Sequence, residues 1–242
     1  MITNFEEFDF NNFECLILNK VITTDRIIED LKKVYNFFCK ELVELNVSLS
    51  DIHLEQLVYL ISIDLKARVD QDPIALSEEF VYSLSRSFKV IFYYRLAHHI
   101  FYLNDKKDEN NICKYCAFRI SEFATSTTCI EIHPQAKIGK SFVIDHGVNT
   151  LIGATSKIGD NCTILQNVVL GSRKITYNLN EKRHPTIGNN VHISGGVRIL
   201  GAINIGNNVI IGPDCLITKD IMDNFVVKLE RKQTITLVKN NE

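Results

Sequence analysis

Between Ile138 and Ile217 a branched aliphatic residue returns every six positions. The series runs Ile138, Ile144, then Ile152, Ile158, Ile164, Leu170, then Ile187, Ile193, Ile199, Ile205, Ile211, Ile217. Gly often follows it, as in Ile138-Gly139, Ile158-Gly159 and Ile187-Gly188. A small or apolar residue sits four places on, as at Cys162, Val168, Val191, Val197, Val209 and Cys215. No helix has this period, and an alternating strand has no need of Gly at one phase. The repeat is that of a hexapeptide β-helix, in which each hexad forms one flat face of a coil. Faces of successive coils should stack at about 4.8 Å. The interior of such a prism is apolar and too narrow for a ligand, so ligands must bind outside it or between neighbouring prisms. Asn189, Asn190, Asn207 and Asn208 fall at corners, where left-handed backbone geometry is wanted and Asn tolerates it. Cys162 and Cys215 occupy the inward phase and read as small core residues.

The register breaks twice. Two residues are inserted between Ile144 and Ile152, and a longer loop between Leu170 and Ile187. Each break carries a histidine, His146 in the first and His184 in the second. The frame has no need of them, so chemistry is sought there.

Upstream, the apolar pattern takes the helical period. Thr24-Asp25 can cap a helix over Arg26–Leu45, with Ile27, Ile28, Leu31, Val34, Tyr35, Phe38 and Leu42 apolar. A second runs from Leu54 to Val69 and stops before Asp72-Pro73. The residue before Pro is pushed out of the α region, which places Asp72 in a turn. Ser77-Glu78-Glu79 starts a third, interrupted near Ser83–Ser87 and continuing to Leu103. Asn104–Asn111 reads as a polar turn and Ile112–Phe123 as a short last helix. The aromatic density around Phe88, Phe92, Tyr93, Tyr94, Phe101 and Tyr102 reads as helix packing. A layer so apolar is expected to bury against partner subunits as well as itself. After Ile217 the period is lost, and FVVKLERKQTITLV reads as a strand or two at the rim. The expected architecture is α+β: an all-helical N-terminal domain (1–129), a left-handed parallel β-helix of hexapeptide repeats (130–221), and a C-terminal strand and tail (222–242).

Composition adds exclusions. At 242 residues, 45% hydrophobic and 23% charged, the chain has the make-up of a soluble globular protein. A net charge of −2 gives no case for nucleic acid or an anionic membrane. No apolar run approaches the roughly 18 residues of a spanning helix. The N-terminus, MITNFEEFDFNNFE, is unlike a signal peptide. Seven scattered Cys fit a reducing cytosol better than a disulfide framework, so a cytoplasmic protein is expected. Cys113-x-x-Cys116 lacks a second ligand pair, so no metal is expected.

Three short segments stand out: Glu131-Ile132-His133-Pro134, Asp145-His146-Gly147 and Arg183-His184-Pro185. With Asp72-Pro73, Tyr94-Arg95-Leu96-Ala97-His98 and the run ILQNVVLG, they resemble the serine O-acetyltransferases of cysteine biosynthesis, over roughly Val69 to Ile217. The resemblance implies transfer of an acetyl group from acetyl-CoA to the hydroxyl of serine or a close hydroxy-amino acid. An alcohol must lose its proton as it attacks a thioester, and an imidazole with a pKa near ~6.5 suits that task. By the family pattern His146 is the general base, and Glu131 stands where the family has its orienting Asp. Arg183 would grip the acceptor carboxylate, for which its planar fork is suited. Asp72 and Asp145 would meet the ammonium group, and His184 would sit near the hydroxyl. Taken singly, Asp72 also reads as a helix-terminating turn residue, Arg183 as part of a solvated Glu181-Lys182-Arg183 cluster, and His133 as structural. The pantetheine arm would run past Gly171, Ser172, Gly195 and Pro213, although Gly at these phases also suits a β-helix corner. A backbone N–H near Ser172 would face the oxyanion.

The chain departs from the family in three places. The loop from Ser172 to Arg183 is longer and lacks Gly; its Arg173, Lys174 and Tyr177 would reshape the acceptor site or grip CoA phosphates. FVVKLERKQ replaces the segment near the CoA adenine. The tail ends Lys239-Asn240-Asn241-Glu242, so no tail-mediated complex with cysteine synthase is expected. The family's trimers, often paired into hexamers, lead to the expectation of at least a homotrimer with shared sites. Other acceptors, such as a modified amino acid or a sugar, and a non-catalytic β-helix scaffold remain as alternatives.

Overall fold

The computed structural model describes residues 21–40, 53–103, 111–174 and 181–230. Among the described residues, five helices precede the strands: α1 (Thr24–Phe38), α2 (Leu54–Gln71), α3 (Glu78–Leu84), α4 (Arg86–Phe101) and α5 (Ile112–Thr128). The cap of α1 is Thr23, one residue earlier than expected, whose side chain accepts from Arg26 N. The continuation expected toward Leu45 and the turn at Asn104–Asn111 lie largely outside the described residues. Ser77 caps α3, and Ser85 both ends α3 and caps α4, so the interruption near Ser83–Ser87 is a change of helix. α4 is apolar on nearly all sides and buried from Val90 through Ala97, which makes it the axis of the helical layer.

α5 runs five residues past the expected end. Its last turn carries Ser126, Thr127 and Thr128, and each hydroxyl donates back to a carbonyl of the preceding turn, at 2.8 Å to Phe123 O, 2.9 Å to Phe123 O and 2.6 Å to Ala124 O respectively. A run that reads as loop is helical because its hydroxyls bond inside the helix.

Strands of two or three residues follow. In chain order they are β1 (Glu131–Ile132), β2 (Lys137–Ile138), β3 (Val143–Ile144), β4 (Leu151–Ile152), β5 (Lys157–Ile158), β6 (Thr163–Ile164) and β7 (Val169–Gly171). Beyond the second break come β8 (Thr186–Ile187), β9 (His192–Ile193), β10 (Arg198–Leu200), β11 (Asn204–Ile205), β12 (Ile210–Ile211), β13 (Leu216–Ile217) and β14 (Val226–Val227). Each strand pairs in parallel with the strand three places on, except that β12 pairs with β14, giving three sheets: β1-β4-β7-β10-β13, β2-β5-β8-β11 and β3-β6-β9-β12-β14. They are called here the first, second and third faces of a triangular prism. The repeat residues stack in register inside it, as Ile132 on Ile152 on Leu170 and Ile144 on Ile164 on Ile193. All are nearly inaccessible.

The corners carry left-handed residues that are mostly Asn: Asn149, Asn161, Asn167, Asn190, Asn208 and Asn224. Asn190 Nδ2 donates to Asn208 Oδ1 at 3.0 Å, and Asn208 Nδ2 to Asn224 Oδ1 at 2.9 Å, forming a ladder between coils. Asn189 and Asn207 differ from the expectation. Their backbones are not left-handed; their side-chain oxygens accept the corner amides of Asp160 and Asn189. Cys162 and Cys215 are buried in the prism, and Cys113 and Cys116 in α5.

The Tyr94–His98 segment fastens α4 to the first coil. Tyr94 OH donates to Ala136 O at 2.7 Å, Arg95 Nη1 to Ile138 O at 2.7 Å, Arg95 Nη2 to Gly139 O, and His98 Nδ1 to Pro134 O at 2.8 Å. Arg95 Nε also meets Asp64 of α2 at 2.8 Å, and Asp64 accepts from Phe142 N at 2.9 Å.

Candidate active site

The first register break is the corner between β3 and β4, leading from the third face to the first. Asp145, His146 and Gly147 build it. His146 has φ 56 and Gly147 φ 77, so two successive residues take the left-handed conformation that carries the chain around the inserted pair. A Cβ on Gly147 would stand 2.4 Å from Ile144 Cγ2 and 2.7 Å from Ile130 Cδ1, so only Gly closes this turn without displacing core side chains. The His146 side chain is 74% exposed, with Nε2 3.9 Å from Asp145 Oδ2. Glu131 opens β1 on the first face, directly beside Leu151 of β4, and so lies near the same corner. Among the described residues, no hydrogen bond or ion pair joins Glu131 to His146.

Asp145 and Asp72 are brought together, but by a residue that the sequence did not single out. Arg68, in the last turn of α2, places Nη2 at 2.9 Å from Asp72 Oδ2 and 3.0 Å from Asp145 Oδ1. Asp72 is extended, as expected before Pro, and its Oδ1 accepts from Ile74 N at 2.9 Å. Next to it, Gln71 Oε1 accepts from Thr163 Oγ1 at 2.8 Å, tying the end of α2 to the prism. Arg68 leaves no pattern in the sequence, because ARVDQDP reads only as a helix end.

The second break lies at another corner, between the first and second faces. Here His184 is 7% exposed. Its Nδ1 accepts from Thr155 N at 3.1 Å and faces Thr155 Oγ1 at 2.9 Å. The main-chain N–H groups of Arg183 and His184 both donate to Thr155 Oγ1 at 3.0 Å. With Nδ1 accepting, the neutral ring carries its proton on Nε2 and presents a donor. The ring packs against Gly153, where a Cβ would fall 2.2 Å from Nε2. Burial and the cations of Arg183 and Lys182 push the His184 pKa down to about 4. Lys182 donates to Thr155 O at 2.6 Å and Pro185 O at 2.9 Å, and burial together with nearby Lys157 lowers its pKa to about 8.

His133 stands at the same corner two coils earlier. Its Nδ1 accepts from Gln135 N at 3.0 Å, and its ring lies 5.1 Å from that of Phe118. Burial and Arg183 push its pKa down to about 4. Arg173 donates to Leu200 O at 3.2 Å over Gly201, and Ser172 Oγ donates to Lys174 O at 3.0 Å. Tyr177 lies outside the described residues, as does the chain from 231 to 242.

Gly171 and Ser172 therefore share the corner of His184, whereas Gly195 and Pro213 follow β9 and β12 on the corner of His146. Gly195 packs against Gln166, whose Oε1 is buried without a hydrogen-bond partner among the described residues. Within one chain the two groups stand at opposite edges of the first face. The outward residues of that face and of the third face include Leu216, Ile210 and Val226, which are exposed. The second face presents Lys137, Lys157, Thr186 and Asn204 instead.

Three histidines, His98, His133 and His184, resist protonation down to about 4, chiefly through burial. In the unfolded chain each titrates near ~6.5. The unfolded state therefore takes up protons first as pH falls, and the stability these rings contribute, complete above pH ~6.5, drains between about 6.5 and 4. The unfolding midpoint should stay level from pH 8 to 7 and fall steadily from 6.5 to 5. Thermal melts across that range check it; a midpoint equal at pH 7 and 5 would contradict the assignment.

A parallel β-helix of hexads with histidines at its interrupted corners is the frame of the hexapeptide acyltransferases. No family model matches the chain. It is 36% identical over 176 residues to a serine acetyltransferase of Helicobacter pylori, covering 73% of this chain and 96% of the relative. It is 41% identical over 159 residues to a serine acetyltransferase of Staphylococcus aureus, covering 65% and 69%. The crystal structure of serine acetyltransferase isoform 3 from Entamoeba histolytica in complex with cysteine superposes with a TM-score of 0.69 at 30% identity, covering 89% of this chain and 74% of that one. The chain belongs to the serine acetyltransferase family, and it is an acyltransferase.

Proposed function

We propose that the chain transfers an acetyl group from acetyl-CoA to the side-chain hydroxyl of L-serine or a close hydroxy-amino acid, releasing CoA. The observation that carries this reading is His146, exposed beside Asp145 at a corner interruption in a chain of this family. The imidazole of His146 takes the hydroxyl proton as the oxygen attacks the thioester carbonyl. The tetrahedral intermediate collapses with loss of the CoA thiolate, which takes the proton back from His146. Glu131, at the same corner, orients the ring once the acceptor is bound. His184, with its proton on Nε2, acts as a donor toward the acceptor oxygen or the oxyanion and not as a second base. A backbone N–H near Ser172 shares the oxyanion. Arg183 binds the acceptor carboxylate; Asp145 and Asp72 lie on the ammonium side.

Gly171 and Ser172 lie at one corner and Gly195 and Pro213 at another, so the donor arm runs in a groove between two prisms. The catalytic corners are likewise joined by apposing one subunit's His146 corner to a neighbour's His184 corner. The apolar outward residues of the first and third faces, on either side of His146, support packing through those faces. The prism winds left-handed, the subunits form at least a trimer, and the helical layer (1–129) supplies Asp72 to the β-helix (130–221). Incubating the purified protein with acetyl-CoA and L-serine should release free thiol. The His146→Ala and His184→Ala variants should each be inactive, and refolding them together should restore turnover. Thiol release that does not depend on any hydroxyl acceptor would overturn the function. Failure of the mixture to recover would overturn the shared site.

A further inference from the structure

We propose that Arg68 is a specificity-determining residue, seated where an acceptor's ammonium group would bind between Asp72 and Asp145. This rests on the acceptor site proposed above. A single nitrogen, Nη2, bridges the two carboxylates at 2.9 and 3.0 Å. The arginine side chain is only 9% exposed, against 20% for Asp72 and 37% for Asp145, so it is the most deeply held member of the trio. Its Nε is buried without a hydrogen-bond partner among the described residues. A guanidinium held for stability alone would be expected to have that donor satisfied.

An ammonium group has three donors and needs oxygens to receive them. Of the four carboxylate oxygens, Asp72 Oδ2 and Asp145 Oδ1 already accept from Arg68, which occupies the space between them, and Asp72 Oδ1 accepts from Ile74 N. Among the described residues, Asp145 Oδ2, 3.9 Å from His146 Nε2, is the oxygen with no hydrogen bond. The guanidinium also cancels one of the two negative charges that would hold an ammonium. An acceptor amine must therefore displace Arg68 or bind with one anchor. The amine adds little to recognition, and the site takes small hydroxy acids with a carboxylate and a primary hydroxyl, with or without a free amine. Replacing Arg68 by a neutral side chain leaves two partly exposed carboxylates facing each other. That arrangement demands a cation, and the acceptor ammonium supplies it.

The test compares L-serine with 3-hydroxypropanoate, which keeps the hydroxyl and the carboxylate and lacks the amine. In the parent protein the Kd values of the two, measured by calorimetry, should differ by less than about tenfold; a larger preference for serine overturns the proposal. Arg68→Met should raise the preference for serine about tenfold or more in both Kd and kcat/KM, through a lower KM for serine with kcat less affected. Arg68→Lys, which keeps a cation on the seat, should stay near the parent ratio. An unchanged ratio in Arg68→Met also overturns the proposal, as does an Arg68→Lys ratio that follows Arg68→Met. If Arg68→Met does not fold, the parent ratio together with Arg68→Lys decides. A shifted binding ratio without CoA release would instead overturn the acetyltransferase reading and leave the role of Arg68 standing.

Discussion

His146→Asn should lose acetyl transfer by a factor of about 10² to 10⁴ while the protein melts at or slightly above the parent temperature. The two halves of this expectation have one cause. His146 sits at φ 56, and the other left-handed corners of the prism are occupied by Asn149, Asn161, Asn167, Asn190, Asn208 and Asn224, with Ser141 and Asp214. Short polar side chains tolerate that conformation because they bond locally, and Asn is the residue this prism uses most often there. A residue kept in an unfavourable backbone region, 74% exposed and away from the core, contributes little to the fold. Asn removes the proposed base and gives the corner the residue that its geometry prefers. The measurement is steady-state CoA release beside a thermal melt. Turnover above about a tenth of the parent would remove His146 from the role of general base. A melting point several degrees lower would mean that the ring supports the corner after all.

Much of the prism is legible in the sequence because each flat face needs one buried branched residue at a fixed phase. From Ile138 to Ile217 every member of the series is 9% exposed or less. The corners are legible through the same physics, since Asn and Gly accept what other residues resist. The ends of helices were harder. Ser126, Thr127 and Thr128 look like loop until their hydroxyls are seen bonding to the turn before them.

The site was legible only as separate segments. Asp72 and Asp145 were marked by motif, but Arg68 between them was not, because its partners are two residues that a sequence does not place side by side. His184 was marked as a polar residue near the acceptor. The direction of its proton depends on Thr155, on a different coil, whose hydroxyl and amide face Nδ1. The separation of His146 and His184 onto different corners follows from the three-strand recurrence of the sheets, which turns a sequence distance into an angle around the prism.

Arg95→Met should cost about 3–5 kcal/mol, a large part of the stability of a chain this size. Arg95 is 1% exposed and Asp64 0%, and they meet at 2.8 Å. The guanidinium uses all three of its nitrogens: Nε on Asp64, Nη1 on Ile138 O and Nη2 on Gly139 O. Removing it leaves a buried carboxylate whose remaining donors are backbone amides, Phe142 N among them at 2.9 Å, and it strips donors from two carbonyls of the first coil. An unpaired buried charge is far more costly than the pair was favourable, so the loss should depend on Asp64. Asp64→Asn combined with Arg95→Met should therefore be less destabilised than Arg95→Met alone, by about 1 kcal/mol or more. Arg95→Lys should recover little, since one ammonium cannot span the three acceptors held by the fork. Denaturant unfolding of the three variants measures this. For a domain of this length the midpoint of Arg95→Met should fall by roughly 10 °C. If Arg95→Met unfolds within about 1 kcal/mol of the parent, the Tyr94–His98 segment does not fasten the helices to the β-helix. Its match to the family pattern would then need a reason in catalysis.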